Sequence, residues 1–181
     1  MSWLKEDMFE VTRECKLANP TFSGTVSGTA YHDITMFYNQ PVIVDSSAWA
    51  ANSAGCMTLA ENLSAKHVMY PLTGLKEGDQ ITKFRVLGGV LAPSTSATTT
   101  IDASLWKCTK TADSVAAATS CGAITQVAAS EDAALDSEKD VTDLTVADDY
   151  QYFVLVKGTT ANNTNCAAFI TGVEADIYRI V

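Results

Sequence analysis

Residues Leu72 to Gly88 read LTGLKEGDQITKFRVLG, a turn signal at Glu77-Gly78-Asp79 that runs straight into an alternating segment. Ile81, Lys83 and Arg85 are expected on one side, and Thr82, Phe84 and Val86 on the other. Period-two alternation after a Gly-Asp turn is the pattern of a half-buried antiparallel strand. A chain written in this grammar folds by stacking sheets, because a strand with one apolar face needs a second sheet to bury it.

The same grammar continues downstream. Ile34 to Tyr38 and Pro41 to Val44 are short strand candidates, as is Thr25 to Thr29. In Ile101 to Thr109, Ile101, Ala103 and Leu105 face one way while Asp102, Ser104, Trp106 and Cys108 face the other. Ile124 to Ala128 is a further short strand. Tyr150 to Lys157, YQYFVLVK, is the most apolar strand and is expected at the centre of a sheet. Ala167 to Val181 closes the chain as one long strand with a bend expected at Gly172. Asp45 to Cys56 and Pro93 to Thr100 read as loops, Thr111 to Gly122 as an Ala/Ser-rich hairpin excursion, and Met57 to Tyr70 fits either a strand or a helical turn. Short strands separated by turn signals predict an all-β fold, a two-sheet antiparallel sandwich of jelly-roll type, rather than βαβ units. No repeat of fixed period is visible.

The 181 residues suffice for one core. The division expected is an N-terminal arm over residues 1–20, followed by a single β-sandwich domain over residues 21–181. Trp3, Asp7, Met8, Val11 and Cys15 fall near helical spacing, with Ser2 as a cap and Pro20 as a stop, so the arm reads as a short helix or an extended segment. Trp3, Leu4, Met8, Phe9 and Val11 are too apolar for a free tail, and are the candidate assembly contacts. Ordering some 19 backbone residues costs more than docking those side chains returns, so a neighbouring subunit is the expected source of help.

Charge restricts the partners. The net charge is −9, and only 18% of residues are charged, against about a quarter in ordinary domains. The 12 basic residues are scattered, which argues against a nucleic-acid backbone or an anionic membrane as partner. No apolar run is long enough for a transmembrane helix, and the charges in MSWLKEDMFEVTREC leave no apolar centre for a leader peptide. The five cysteines, Cys15, Cys56, Cys108, Cys121 and Cys166, form no C-x-x-C pair. Cys108 and Cys121 flank the hairpin excursion and could meet; reduced cysteines packed as small hydrophobes are the alternative.

No motif points to catalysis. His32 and His67 lie outside any ligand spacing for a transition metal, and neither a G-x-S-x-G turn nor a phosphate loop is present. Ser130 to Asp149 carries eight carboxylates against Lys139. Asp132, Asp136, Glu138, Asp140 and Asp143 could ligate a hard cation, but EF-hand spacing is missing, and a solvated acidic loop between two strands is the expectation. No catalytic residue, cofactor or metal is therefore assigned. Trp49 and Trp106 remain as aromatic surfaces on which a sugar ring could stack, provided that one of them is exposed.

The combination L-x-x-L-x-x-G-D-x-I-x-x-F-R-V at Leu72 to Val86, the strand IDASLWK at Ile101 to Lys107 and the block DYQYFVLVKGTTANN at Asp149 to Asn163 resemble small β-sandwich structural proteins of tailed-bacteriophage virions. The resemblance covers roughly residues 70 to 181. It implies a non-enzymatic, assembling protein of the virion, of capsid-decoration or tail-accessory type. Such a protein would bind copies of itself, with a trimer expected, and neighbouring capsid or tail subunits. The alternative function is a carbohydrate-binding or host-adhesion sandwich module using Trp49 or Trp106.

Overall fold

A computed structural model of the 181-residue chain describes residues 31–45, 48–52, 55–92, 98–110, 118–129, 131–162 and 166–180. The candidate arm, with Trp3, Leu4, Met8, Phe9 and Val11, and the strand expected at Thr25 to Thr29 lie outside these residues.

The described residues form twelve strands and no helix. They are β1 (Tyr31–Tyr38), β2 (Val42–Ile43), β3 (Trp49–Ala51), β4 (Met57–Leu59), β5 (Lys66–Pro71), β6 (Gln80–Leu91), β7 (Thr99–Thr109), β8 (Ala118–Ala123), β9 (Val127–Ala129), β10 (Ala133–Thr145), β11 (Tyr150–Thr159) and β12 (Ala167–Ile180). All pairings are antiparallel and fall into two sheets. The first has the order β10-β6-β12-β4-β3, with β1 beside β4 along the same edge of β12; the second has the order β2-β5-β11-β7-β8, with β9 also on β7. Reading β4, β12, β6 and β10 across one sheet and β5, β11, β7 and β8 across the other gives the strand order of a jelly roll.

The alternation expected of β7 holds. Ile101, Ala103 and Leu105 are buried, while Asp102, Ser104, Trp106 and Cys108 are half-buried on the other face. β11 lies between β5 and β7, and buries Tyr152, Val154 and Val156. These residues meet Phe84, Val86, Ile170, Ala175 and Ile177 of the first sheet in one core. Truncating a fully buried Leu or Ile of that core, Leu105 for instance, costs about 2–5 kcal/mol. The bend expected in β12 is a register shift between Ile170 and Gly172.

Three sequence expectations are corrected. Ile81 does not share a face with Lys83 and Arg85. Ile177 and Asp176 on β12 face Ile81 and Lys83, leaving Thr82 as an extra residue, and this bulge resets the alternation so that Ile81 joins Phe84 and Val86 inside. The acidic run is not a loop: residues 133–145 form β10, an edge strand paired along β6, and its carboxylates hold that position because Lys83 and Arg85 lie across from them. The Asp45-to-Cys56 segment is not wholly loop, since Trp49–Ala51 pairs with Met57–Leu59.

The turn before β6 is fixed to the last strand by a buried ion pair. Asp79 is 1% exposed, and its carboxylate accepts hydrogen bonds from Arg179 Nε (2.9 Å) and an Arg179 terminal nitrogen (2.7 Å). Lys76 N–H donates to the same carboxylate at 2.8 Å, and the other donor bond of Arg179 goes to Gly74 O at 2.9 Å. Gly74 and Gly78 have φ of +78° and +86°, a region that L side chains rarely adopt. Nearby, Tyr38 donates to Thr73 O, and burial pushes its hydroxyl up to about 12.

Candidate functional site

The two sheets turn very different faces outward. On the first, Arg85 lies between Glu138 and Glu174 in register, and Lys83 between Asp140 and Asp176. Arg85 approaches Glu138 at 2.9 Å, Asp136 at 3.4 Å and Glu174 at 3.5 Å. Lys83 approaches Glu138 at 3.1 Å and Asp140 at 3.7 Å, and Thr35 donates to Asp176 at 2.6 Å. Hydrogen bonds from Arg85, then from Lys83, hold the Glu138 carboxyl below the usual carboxylate range. Both cations are committed to these carboxylates, and among the described residues no three His, Cys, Asp or Glu side chains converge on a metal site. Asp132 accepts Ala92 N–H at 3.1 Å instead of joining a cluster. On this face two cations are shared among an excess of carboxylates, so no cation is left for a ligand.

The outer face of the second sheet is built from the alternate residues of β5, β11 and β7. Phe153 is directly opposite Pro71 on one side and Trp106 on the other. The next row places Leu155 between Met69 and Ser104, and the third places Lys157 between His67 and Asp102. Directly opposed residues on one face lie about 4.5–5.5 Å apart at Cβ, so the first two rows make a continuous apolar band. Trp106, Phe153, Leu155, Met69 and Pro71 are all half-buried. The indole Nε1 of Trp106 is itself buried and makes no hydrogen bond among the described residues.

Polar groups border the band. Lys157 Nζ lies 2.8 Å from Asp102, and Gln126 donates to both oxygens of that carboxylate, at 2.9 and 3.1 Å. Asp45 accepts His67 N–H at 2.6 Å and lies 3.3 Å from His67 Nδ1; the backbone bond is the main reason its carboxyl sits below the ordinary range. At the other end, exposed Gln151 pairs in register with Cys108; behind it, on the core-facing side of the strands, Lys107 Nζ lies 4.8 Å above the Tyr150 ring. A groove of about 450 Å³ opens there, lined by Pro71, Thr73, Lys110, Tyr150, Gln151 and Phe153 among others.

The two candidate tryptophans part company. Trp49 is 1% exposed and packs against Gly158, where an added Cβ would come within 2.9 Å of its ring; it is a core residue, not a surface for sugar. Trp106 keeps the outward position that its strand alternation predicts. Phe153 and Leu155 were not singled out from sequence, although a signal was present. In YQYFVLVK large apolar residues occur in both alternating sets, so some of them must face away from the core. Cys108 and Cys121 are free thiols.

Against known proteins, no family model and no curated sequence matches this chain. Several solved structures do. A family two carbohydrate esterase from Cellvibrio japonicus aligns over 84% of this chain at 5% identity and a TM-score of 0.40, and the chain spans only 36% of the esterase's length. A CBM4 structure aligns over 76% of this chain and 77% of its own at 11% identity and a TM-score of 0.38. The xylan-binding domain from CBM 22, formally the x6b domain, aligns over 88% and 91% at 13% identity and 0.35. The fold class stated above is that of a two-sheet β-sandwich; at this level of likeness nothing about activity passes from these proteins to this chain.

Proposed function

We propose that the protein is a non-catalytic carbohydrate-binding β-sandwich module, with a saccharide lying on the outer face of the second sheet. The observation that carries this reading is the band itself: Trp106 opposite Phe153 on a solvent-facing sheet, with hydrogen-bonding side chains at both ends. A sugar ring has one apolar face of C–H bonds, which meets an aromatic ring, and an equator of hydroxyls, which needs donors and acceptors beside that ring. Ser104, Gln151 and Gln126 supply such groups. From Trp106 to Asp102 the strand advances four residues, about 14 Å, room for a short run of sugar units rather than one.

The expected ligand is a neutral polysaccharide. Lys157 is already paired with Asp102, and the chain carries a net charge of −9, so anionic glycans gain little and are repelled at long range. The test is affinity electrophoresis through gels containing neutral polysaccharides, backed by a glycan array. Retardation that is lost in Trp106→Ala supports the reading; no retardation on any polymer together with an empty array sinks it.

A second reading is an assembling structural protein of a virion, favoured by the exposed apolar side chains of Phe37, Val42, Ile43 and Val44. Co-sedimentation with capsid or tail particles tests it, and failure to co-sediment would remove that role.

A further inference from the structure

The apolar band of the second sheet has two unlike ends. Toward one end, His67, Lys157 and Asp102 lie side by side in register. Asp45 engages His67 there, and Lys157 and Gln126 both engage Asp102. A neutral chain gains little by passing over that row, because it would strip water from charged groups without replacing it.

The other end runs without a break into the groove of about 450 Å³. Met69, Pro71 and Phe153 belong to the band and line the groove as well. Both walls of the groove are turns. One is residues 72–75, where the ladder with β11 ends: Leu72 N–H donates to Tyr152 O at 2.9 Å, and the chain turns away at Gly74. The other is residues 146–148, between β10 and β11.

Each wall is fastened. Arg179 holds Gly74 O and Tyr38 holds Thr73 O. On the opposite wall, Ala147 N–H donates to the Tyr152 hydroxyl at 3.0 Å and Lys110 Nζ to Asp148 O at 2.7 Å. The two are also tied together through the turn before β6. Val146 N–H donates to Asp79 O at 2.7 Å, and Gly78 N–H donates to Val146 O at 2.9 Å. The width of the groove is therefore set in advance, which spares an occupant the cost of ordering it. Its rim, by contrast, keeps groups unspent. Thr73 and Gln151 stand exposed, and neither side chain has a hydrogen bond among the described residues.

We propose that this groove is a second saccharide subsite, which takes the chain as it leaves the Trp106–Phe153 row. The inference rests on the carbohydrate reading above and extends it: the protein reads a longer stretch of polysaccharide than the band covers. The occupant is the same chain because the two surfaces are continuous. A chain lying along β11 passes from Leu155 over Phe153 to Gln151 and so meets the groove directly. The groove repeats the chemistry of the band, with Pro71 and Phe153 as apolar surface and Thr73 and Gln151 as partners for hydroxyls. Lys110 and Asp148 contribute one charge of each sign, which suits a neutral chain. From Lys157 to Gln151, β11 advances six residues, about 20 Å, before the groove adds its own length.

Isothermal titration with defined cello-, xylo-, manno- and malto-oligosaccharides, from disaccharide to hexasaccharide, tests this. The expected result is that the hexasaccharide of the series that binds does so about tenfold or more tightly than the disaccharide. In Thr73→Ala that ratio should fall about fivefold, the worth of one hydrogen bond. Trp106→Ala should weaken both sugars and keep the ratio. A wild-type protein that binds disaccharide and hexasaccharide alike overturns the subsite and leaves the band as the whole site. So does a ratio that Thr73→Ala does not change, as expected of a groove that seats a peptide segment instead. No binding of any oligosaccharide overturns the carbohydrate reading and the subsite with it. Amide chemical shifts of the unmodified protein give an independent readout. Those of Thr73, Gly74 and Ala147 should move with the hexasaccharide and stay in place with the disaccharide; no movement with the hexasaccharide overturns the proposal without any variant.

Discussion

The outer faces of the two sheets obey the same alternation and end with opposite chemistry. On one, Lys83 and Arg85 are held among Asp136, Glu138, Asp140 and Glu174; on the other, Trp106, Phe153 and Leu155 form an apolar band. The inner faces had little freedom, because both had to fill one core. The outer faces were free, and one was covered with charged groups that water also serves while the other was left with apolar surface that water serves badly. The ionic face has both its cations engaged and offers little apolar surface, whereas a half-buried aromatic band retains unused contact area.

The comparison breaks most easily at a third place, where a charge is buried instead of displayed. Replacing Asp79 by Ala should cost about 3 kcal/mol or more, since it leaves the guanidinium of Arg179 without its partner inside the β5–β6 turn; chemical denaturation reads this directly. The sign with pH follows from the Asp79 carboxyl being held below its ordinary value of 3.8, chiefly by the Arg179 hydrogen bonds. A depressed carboxyl contributes stability that is whole above the unfolded value and is lost as pH falls through the folded one. The wild-type protein should therefore lose stability below about pH 4, and the variant should lose less of it over that window.

The next effect is smaller, and separates the faces by function. Trp106→Ala should lower affinity for a bound polysaccharide by about tenfold or more, equivalent to about 1.4 kcal/mol. Its cost in stability should be about 1–2 kcal/mol from lost apolar burial. Phe153→Ala should behave alike in isothermal titration. Equal binding by wild type and both variants would mean that the band is only packing.

The smallest effect is expected on the ionic face. Glu138→Gln removes the carboxylate shared by Lys83 and Arg85, yet these are surface pairs screened by salt. No measurable change in thermal midpoint is expected at physiological ionic strength, and none in glycan affinity. A clear destabilisation would show that the lattice stiffens the sheet and would narrow the contrast between the faces.

Much of this was legible in the chain. The inward set Ile101, Ala103 and Leu105, the central position of Tyr150 to Lys157 and the bend at Gly172 were all readable, because alternation and apolar density are local signals. What was lost depended on partners distant in sequence. β10 looked like a loop because its carboxylates seem costly in a strand until Lys83 and Arg85 of β6 are set beside them. The inward turn of Ile81 depends on a bulge at Thr82 that exists only in pairing with β12. Trp49 was left open as a sugar surface because it sits in a small, polar segment, yet its ring is housed by Gly158, more than a hundred residues away. The band was half visible: Trp106 stood out by residue type, while Phe153 and Leu155 were masked by the apolar residues between them.

β12 lies against β6 along one side and against both β4 and β1 along the other, and it follows all of them in the chain. During synthesis, β1 and β4 therefore emerge with no finished sheet to join and wait for the last strand to be made. Pairings this distant must close long loops before they gain anything, which puts the fold among the slow ones. A ribosome stalled before Ala167 would hold a nascent chain whose half-built sheet exposes both flanks to whatever chaperone or neighbouring chain arrives first.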